Sequence, residues 1–206
     1  MATLWRPKEG VEIHDLGGQR YSFVFYHVFD MQNVIEGDPW IFEQSLLLLH
    51  ELKEQEDPSQ VLLNKMDIWV QIYDLPRGMI SEKIIQSIGN SVGVVVKTDP
   101  LNMQGLWKPY MRVRVTMDIG KPLKRRMKLK REGDTWSWIN FKYERLSTFC
   151  FVCGLLGHSE RDCDIVYANP EKVIDRAYGV WLRAPNKNAK NQNTGSKWLR
   201  NGPDGG

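Results

Sequence analysis

Cysteine is scarce in this chain of 206 residues. The three present, Cys150, Cys153 and Cys163, are too few and too clustered for a disulfide framework, which fits a reducing compartment. Long apolar runs are absent as well. The longest purely aliphatic stretches, residues 46–49 and 94–96, fall far short of the roughly 20 residues a membrane span needs, so no membrane association is expected. The opening residues 1–8 carry no apolar run and therefore no secretory signal, and an intracellular protein is the expectation. No G-x-x-x-x-G-K-[ST] phosphate loop and no G-x-S-x-G nucleophile turn occurs, and neither an enzyme nor a small-molecule substrate is expected. Low apolar content is not among the deficits. With 42% hydrophobic and 11% aromatic residues the chain has the surface to offset ordering entropy and fold.

A formal charge of +3 conceals an asymmetry. Residues 1–90 carry 7 basic and 14 acidic side chains, whereas residues 91–206 carry 21 basic and 11 acidic. A basic half of this size is an electrostatic footprint for a polyanion, or else a solvated surface with no partner. The densest basic segment is residues 121–131, with Lys121, Lys124, Arg125, Arg126, Lys128, Lys130 and Arg131 and no acid; Trp136 and Trp138 follow it. Three readings of this run compete: contact with nucleic acid, a nuclear-import signal that would place the protein in the nucleus, and a solvated loop between strands.

Periodicity predicts an α+β protein. Residues 11–16 and 20–29 read as strands around a Gly17-Gly18 turn, with Tyr21, Phe23 and Phe25 on one face and Ser22, Val24 and Tyr26 on the other. A short helix through Met31, Val34 and Ile35 ends at Gly37 and Pro39; a buried strand over 45–52 and an acidic linker over 53–60 follow. A second unit starts near Leu62. It has strands at 68–73, 92–98, 110–118 and 136–143, and a helix over 81–87 capped by Ser81 whose Ile80, Ile84, Ile85 and Ile88 face the sheet. Arg112 and Arg114 share one strand face. Both units are expected to be RNA-recognition-like sheet and helix arrangements, the second lacking one helix. The expected division is 1–60, 61–146, a metal-binding segment at 147–166, an extension at 167–183 and a disordered basic tail at 184–206. Residues 20–26 approach the base-stacking pattern K/R-G-F/Y-G/A-F-V-x-F/Y, but Gln19-Arg20 replaces basic-Gly, and the aromatics read as core. His14, His27 and His50 have no ligand partner nearby and read as strand-face residues.

The strongest signal is Cys150-x₂-Cys153-x₄-His158-x₄-Cys163. Three thiolates and an imidazole suit the closed tetrahedral shell of Zn²⁺. Gly154 and Gly157 stand where the chain must turn tightly around the ion. A catalytic zinc usually keeps one position open, whereas this set supplies four ligands. His158-Ser159-Glu160 mimics half of the nucleobase-deaminase pattern but follows the Cys-x-x-Cys pair, the reverse of the required order. A zinc-bound thiolate is likewise occupied and is no nucleophile.

Cys150-Phe-Val-Cys-Gly-Leu-Leu-Gly-His-Ser-Glu-Arg-Asp-Cys163 resembles the CCHC zinc knuckle of retroviral nucleocapsid and related proteins. The flanks 143–149 and 178–184, with Ile35-Glu-Gly-Asp-Pro-Trp40 and Trp69-Val-Gln-Ile-Tyr-Asp-Leu-Pro76, are similar to a plant class. There a domain of unknown function precedes the knuckle, in Gag-like products of LINE-type retrotransposons. That family's first domain opens with a further strand and helix, so the resemblance implies a first unit incomplete at its N-terminus. It also implies zinc-dependent binding of single-stranded RNA or DNA with low sequence specificity, stacking bases on Phe151 with Leu156 flanking. Phe151 has a second reading, as a shield over the sulfurs. Arg161 is the basic residue inside the knuckle, and Lys124, Arg125, Arg126, Lys128, Lys130 and Arg131 would supply the remaining charge. The alternative is a protein-interaction module in which the knuckle is a structural clip and the acidic first unit docks a partner, including another copy of itself.

Overall fold

The computed structural model describes residues 2–43, 45–104 and 108–185. The tail expected over 184–206 therefore lies, beyond Pro185, outside the described residues. The chain is α+β with antiparallel sheets.

Residues 2–60 form small pieces around an aromatic cluster. Helix α1 (Ala2–Trp5) precedes the antiparallel hairpin of β1 (Val11–Gly17) and β2 (Arg20–Phe25). The Trp5 ring lies 4.7 Å from Phe23, 5.9 Å from Phe25 and 6.2 Å from Trp40. Phe23 and Phe25 are half-buried against Trp5, whereas Tyr21, on the same strand, is exposed. The strand expected to reach Phe29 stops at Phe25. His27 is not a strand-face residue: its ring accepts the Phe29 amide at 3.1 Å and caps α2 (Val28–Glu36). The buried strand expected over 45–52 is short. Strands β3 (Trp40–Phe42) and β4 (Ser45–Leu47) pair only with each other, and Leu46 and Leu48 rest half-buried against the main core. His50 is consequently in coil, bonded to Glu56 at 2.9 Å, while His14 is exposed on β1.

The second unit is a five-stranded sheet ordered β6-β7-β5-β9-β8. It is built from β5 (Lys65–Tyr73), β6 (Val94–Thr98), β7 (Tyr110–Asp118), β8 (Arg126–Lys130) and β9 (Trp136–Tyr143), with α3 (Glu82–Asn90) between β5 and β6. Every neighbouring pair is antiparallel. The first and third strands are central, as in an RNA-recognition-type sheet, and β8 adds an outer strand. The Ser81 hydroxyl accepts the Ile84 amide at 3.3 Å and starts α3, which buries Ile85 and Ile88 on the sheet. Strand β8 falls within the basic run 121–131, where the sequence places no strand and a solvated loop is one of three readings. Its charges conceal a period of two, with Met127 and Leu129 packed inward and Arg126, Lys128 and Lys130 facing out.

One face of the sheet carries Ile68, Val70, Ile72, Val113, Val115, Ile139, Phe141 and Tyr143, all at most 1% exposed. Helix α3 covers part of it. Leu146 and Phe149 from before the metal-ligand cysteines, Leu156 from between Cys153 and His158, and Leu182 from after them are buried in the same cluster. The opposite face meets the first unit at one end. Buried Arg114 reaches the α2 C-terminus, donating to the Glu36 carbonyl at 2.5 Å and the Ile35 carbonyl at 2.9 Å, and pairs with Asp67 at 3.2 Å. Asp38 accepts the Asp67 amide at 3.0 Å. Among the described residues, no helix is long and apolar enough to cross a membrane.

Candidate metal centre and nucleic-acid interface

The segment after β9 folds back on itself. Phe149 and Leu156 form an antiparallel bridge, and 2.9 Å bonds run from the Cys150 amide to the Leu155 carbonyl, from Gly154 to Cys150 and from Gly157 to Thr148. Gly154 has φ +76°, and a Cβ there would lie 2.4 Å from the Tyr178 ring, so the position demands glycine twice over. Gly157, at φ +91°, turns the chain toward His158. Ser159 then caps a 3₁₀ turn over Glu160–Asp162, and the Cys163 carbonyl accepts the Tyr167 amide at 2.9 Å to start α4 (Asp164–Tyr167).

This path brings the ligand atoms of Cys150, Cys153, His158 and Cys163 within 4.8 Å of one another. A tetrahedral zinc shell with Zn–S of about 2.3 Å and Zn–N of about 2.0 Å has ligand-to-ligand edges of roughly 3.5–3.8 Å, so the cluster is of the right size. The Cys153 sulfur stands 3.3 Å from His158 Nε2. The Val152 amide points at the Cys150 sulfur from 3.4 Å, the kind of donor that favours thiolate. Burial, then the neighbouring Cys150, pushes the Cys153 thiol up to about 11. Burial also opposes ionisation of Cys163, but hydrogen bonds from His158 and the Val166 and Ile165 amides draw it down to about 7. A divalent cation would reverse the crowding penalty by holding all three sulfurs as thiolates. Size, donor set and burial all fit Zn²⁺.

The residues expected to touch nucleic acid divide into two sets. Leu156 is 9% exposed and belongs to the sheet's core, so it is no base platform; the knuckle uses it as an anchor. Lys124 and Arg125 are also withdrawn. Lys124 Nζ donates to the Ser91 carbonyl at 3.0 Å; Arg125 donates to the Ala177 carbonyl at 2.7 Å and lies 5.1 Å from the Tyr178 ring centre. These contacts tie residues 177–178 and the end of α3 to the start of β8. Phe151 is half-buried, 5.2 Å from Phe149, with its carbonyl accepting the Tyr178 amide. Arg161 is exposed at the far end of the knuckle. Arg126, Lys128, Lys130 and Arg131 are exposed, with Lys130 held by Asp134 at 2.7 Å.

Two further basic residues are occupied by the fold. Arg112 forms a two-point pair with Glu144 at 2.8 and 2.9 Å, reaches Asp99 at 3.3 Å, and lies 3.7 Å over the Trp69 ring. Arg114 caps α2. What the sequence left unassigned is the partner of the exposed cations. Arg126 lies 4.2 Å and Lys128 Nζ 5.2 Å over the Trp138 ring. The signal was present in the alternation Trp136-Ser-Trp138, which places both rings on one strand face.

Comparison with known proteins agrees with this geometry. Residues 117–165 match the zinc-knuckle family, a span that takes in β8 and β9 as well as the ligands, and residues 1–60 match a domain of unknown function (DUF4283). A CCHC knuckle and a DUF4283 domain are therefore present. An uncharacterized protein of Arabidopsis thaliana (At4g02000) is 23% identical over 163 residues, covering 79% of this chain and 49% of the relative. The chain thus spans about half the length of the curated relative it matches. No solved structure matches the chain.

Proposed function

We propose that the chain is a zinc-dependent binding protein for single-stranded nucleic acid with low sequence specificity, acting in a Gag-like role descended from a retrotransposon, and that it has no catalytic activity of its own. The observation that carries this reading is the convergence of all three cysteines and His158 on one metal site, directly joined to a cationic hairpin. Four protein ligands make a closed site with a structural rather than a catalytic role. Exposed Arg126, Lys128, Arg131 and Arg161 provide charge for phosphates, and half-buried Phe151 provides an aromatic edge beside the site. Both RNA and DNA strands satisfy this chemistry.

The test is a fluorescence-anisotropy titration of the zinc-loaded full chain with single-stranded RNA and with single-stranded DNA at several salt concentrations. Affinity should fall with salt at a log–log slope of about −0.7 per phosphate contacted. Phe151→Ala combined with Arg161→Ala should weaken binding by about 5-fold or more. Absence of binding to both strands refutes the proposal.

One observation favours a second role alongside the first, that of self-association through residues 1–60. Ile13, Leu16, Tyr21, Val24 and Tyr26 of the first hairpin region are each between 41% and 61% exposed, on an acidic unit. They lie on both faces of the hairpin and offer apolar area that a second copy would bury. Sedimentation of the chain without nucleic acid across a concentration series tests it, with monomer at every concentration as the refuting result.

A further inference from the structure

The five-stranded sheet is covered unequally. Its α3 face is closed, and one end of the opposite face is closed by residues 35–40 through Arg114 and Asp38. At the other end Arg126 and Lys128, from the sheet itself, lie 4.2 and 5.2 Å over the Trp138 ring. Trp136 is 60% and Trp138 45% exposed there. Leaving two of the largest apolar side chains in water forgoes the strongest burial a sheet can make, and such rings mark binding surfaces.

The register surrounds these rings with cations. Across the β8–β9 ladder, Lys130 faces Trp136, Lys128 faces Trp138 and Arg126 faces Asn140. Tyr73 continues the row beside Asn140, with Lys142 Nζ 4.9 Å over its ring and Tyr110 at 5.2 Å. Of the nearby acids, Asp74 accepts from Asn140 at 2.7 Å, Glu144 is held by Arg112 and Asp134 pairs with Lys130. Residues two apart on a strand repeat at about 6.8 Å, twice the ~3.4 Å rise per stacked nucleotide, so the two indoles present separate stacking positions for bases of an unstacked, extended strand.

We propose that this open end of the sheet, with Trp136 and Trp138 flanked by Arg126 and Lys128, is a base-stacking platform for single-stranded nucleic acid, separate from the knuckle's own surface. The proposal rests on the nucleic-acid reading above and assigns most of the contact to the sheet. A π-face accepts any base, and the cations take the phosphates between stacked bases. A knuckle with one exposed arginine needs such a partner surface. Lys124 and Arg125 have a different part: Lys124 bonds the hairpin to the end of α3, and Arg125 bonds it to Ala177, next to Tyr178, whose amide donates to the knuckle's Phe151 carbonyl.

The experiment compares four full-length, zinc-loaded proteins in the same anisotropy titration with a mixed-sequence single-stranded RNA: the parent, Trp136→Ala with Trp138→Ala, Arg126→Gln with Lys128→Gln, and Phe151→Ala with Arg161→Ala. Zinc content and thermal midpoint confirm folding, which removal of exposed rings should spare. Each lost stacking position should weaken binding about 5-fold to 150-fold. Trp138→Phe should restore part of the loss, because a ring remains. The cation pair should flatten the salt slope by about 1.4. Unchanged affinity in the tryptophan variant, with loss in the Phe151 and Arg161 variant, overturns the platform and leaves the nucleic-acid reading standing. Failure of the parent to bind overturns both. A tryptophan variant that binds RNA normally but no longer self-associates overturns the platform too, making the face a protein contact.

Discussion

Removing zinc should unfold the sheet and not merely loosen the knuckle. Leu146, Phe149, Leu156 and Leu182 are between 0% and 9% exposed, and they share one buried cluster with Ile139, Phe141 and Tyr143. Burying such a side chain is worth about 1.5–3 kcal/mol, hence about 6–12 kcal/mol for the four as an upper estimate. Whole domains are stable by only about 5–15 kcal/mol. The Leu123 amide also donates to the Gly154 carbonyl at 2.9 Å, the Tyr143 hydroxyl to the Lys124 carbonyl at 2.8 Å and the Ala184 amide to the Tyr143 carbonyl at 2.9 Å, so the segments are stitched together by backbone as well. Without the ion, the short knuckle has no means of holding its turns. The assay is calorimetry with near-ultraviolet circular dichroism, with and without chelator, on the parent and on Cys163→Ser. At about 2–4 °C per kcal/mol, even a 6 kcal/mol loss lowers the midpoint by about 12–24 °C, in a single transition. If zinc departs while the sheet's transition moves by less than about 2 °C, the shared core is not energetically shared and the reasoning is wrong. For the same reason, loss of RNA binding on chelation would not by itself locate the binding surface.

Three further outcomes follow from particular side chains. Burial raises the Asp38 carboxyl to about 6 against the Asp67 amide bond that lowers it, and its second oxygen has no partner. A carboxylate whose folded pKa is raised stabilises the fold below its unfolded value near 4 and loses that contribution as pH rises through about 6. Asp38→Asn should therefore gain up to about 3 kcal/mol in urea melts near pH 7 and nothing near pH 4; an equal gain at both would exclude ionisation as the cause. Arg114→Ala strips the α2 carbonyls and Asp67 of a buried cation and should cost about 3–5 kcal/mol in the same melts, whereas a change below about 0.5 kcal/mol would show the contact to be idle. Gly154→Ala meets both a positive φ and the Tyr178 ring, and Gly157→Ala meets only the positive φ. The first should weaken zinc binding at least about 10-fold and the second less, by competition with a chromophoric chelator; the reverse order would refute the assigned role of Tyr178.

The ligand set was legible because its information is local. Four residues within one short segment meet at one ion, and their spacing needs no distant contact to be recognised. Strands β7 and β9 were legible for a similar reason, since alternation over 110–118 and 136–143 expresses a surface half in core and half out. The roles of the basic residues were not legible. Lys124, Arg125, Arg126 and Lys128 look alike along the chain, yet two are hydrogen-bonded into the fold and two stand over an exposed indole. Which cation is free depends on the register between β8 and β9 and on where residues 177–178 dock, and both are set by long-range packing. Leu156 illustrates the same point. The resemblance to other knuckles makes it a surface flank beside Phe151, and only the meeting of the knuckle with Phe141 and Tyr143 turns it inward. The chain's own order determined the metal site and the strand periods, because these are properties of neighbours in sequence. Tertiary structure alone decided which aromatic and basic side chains remain in water, because exposure is what is left after distant segments have packed.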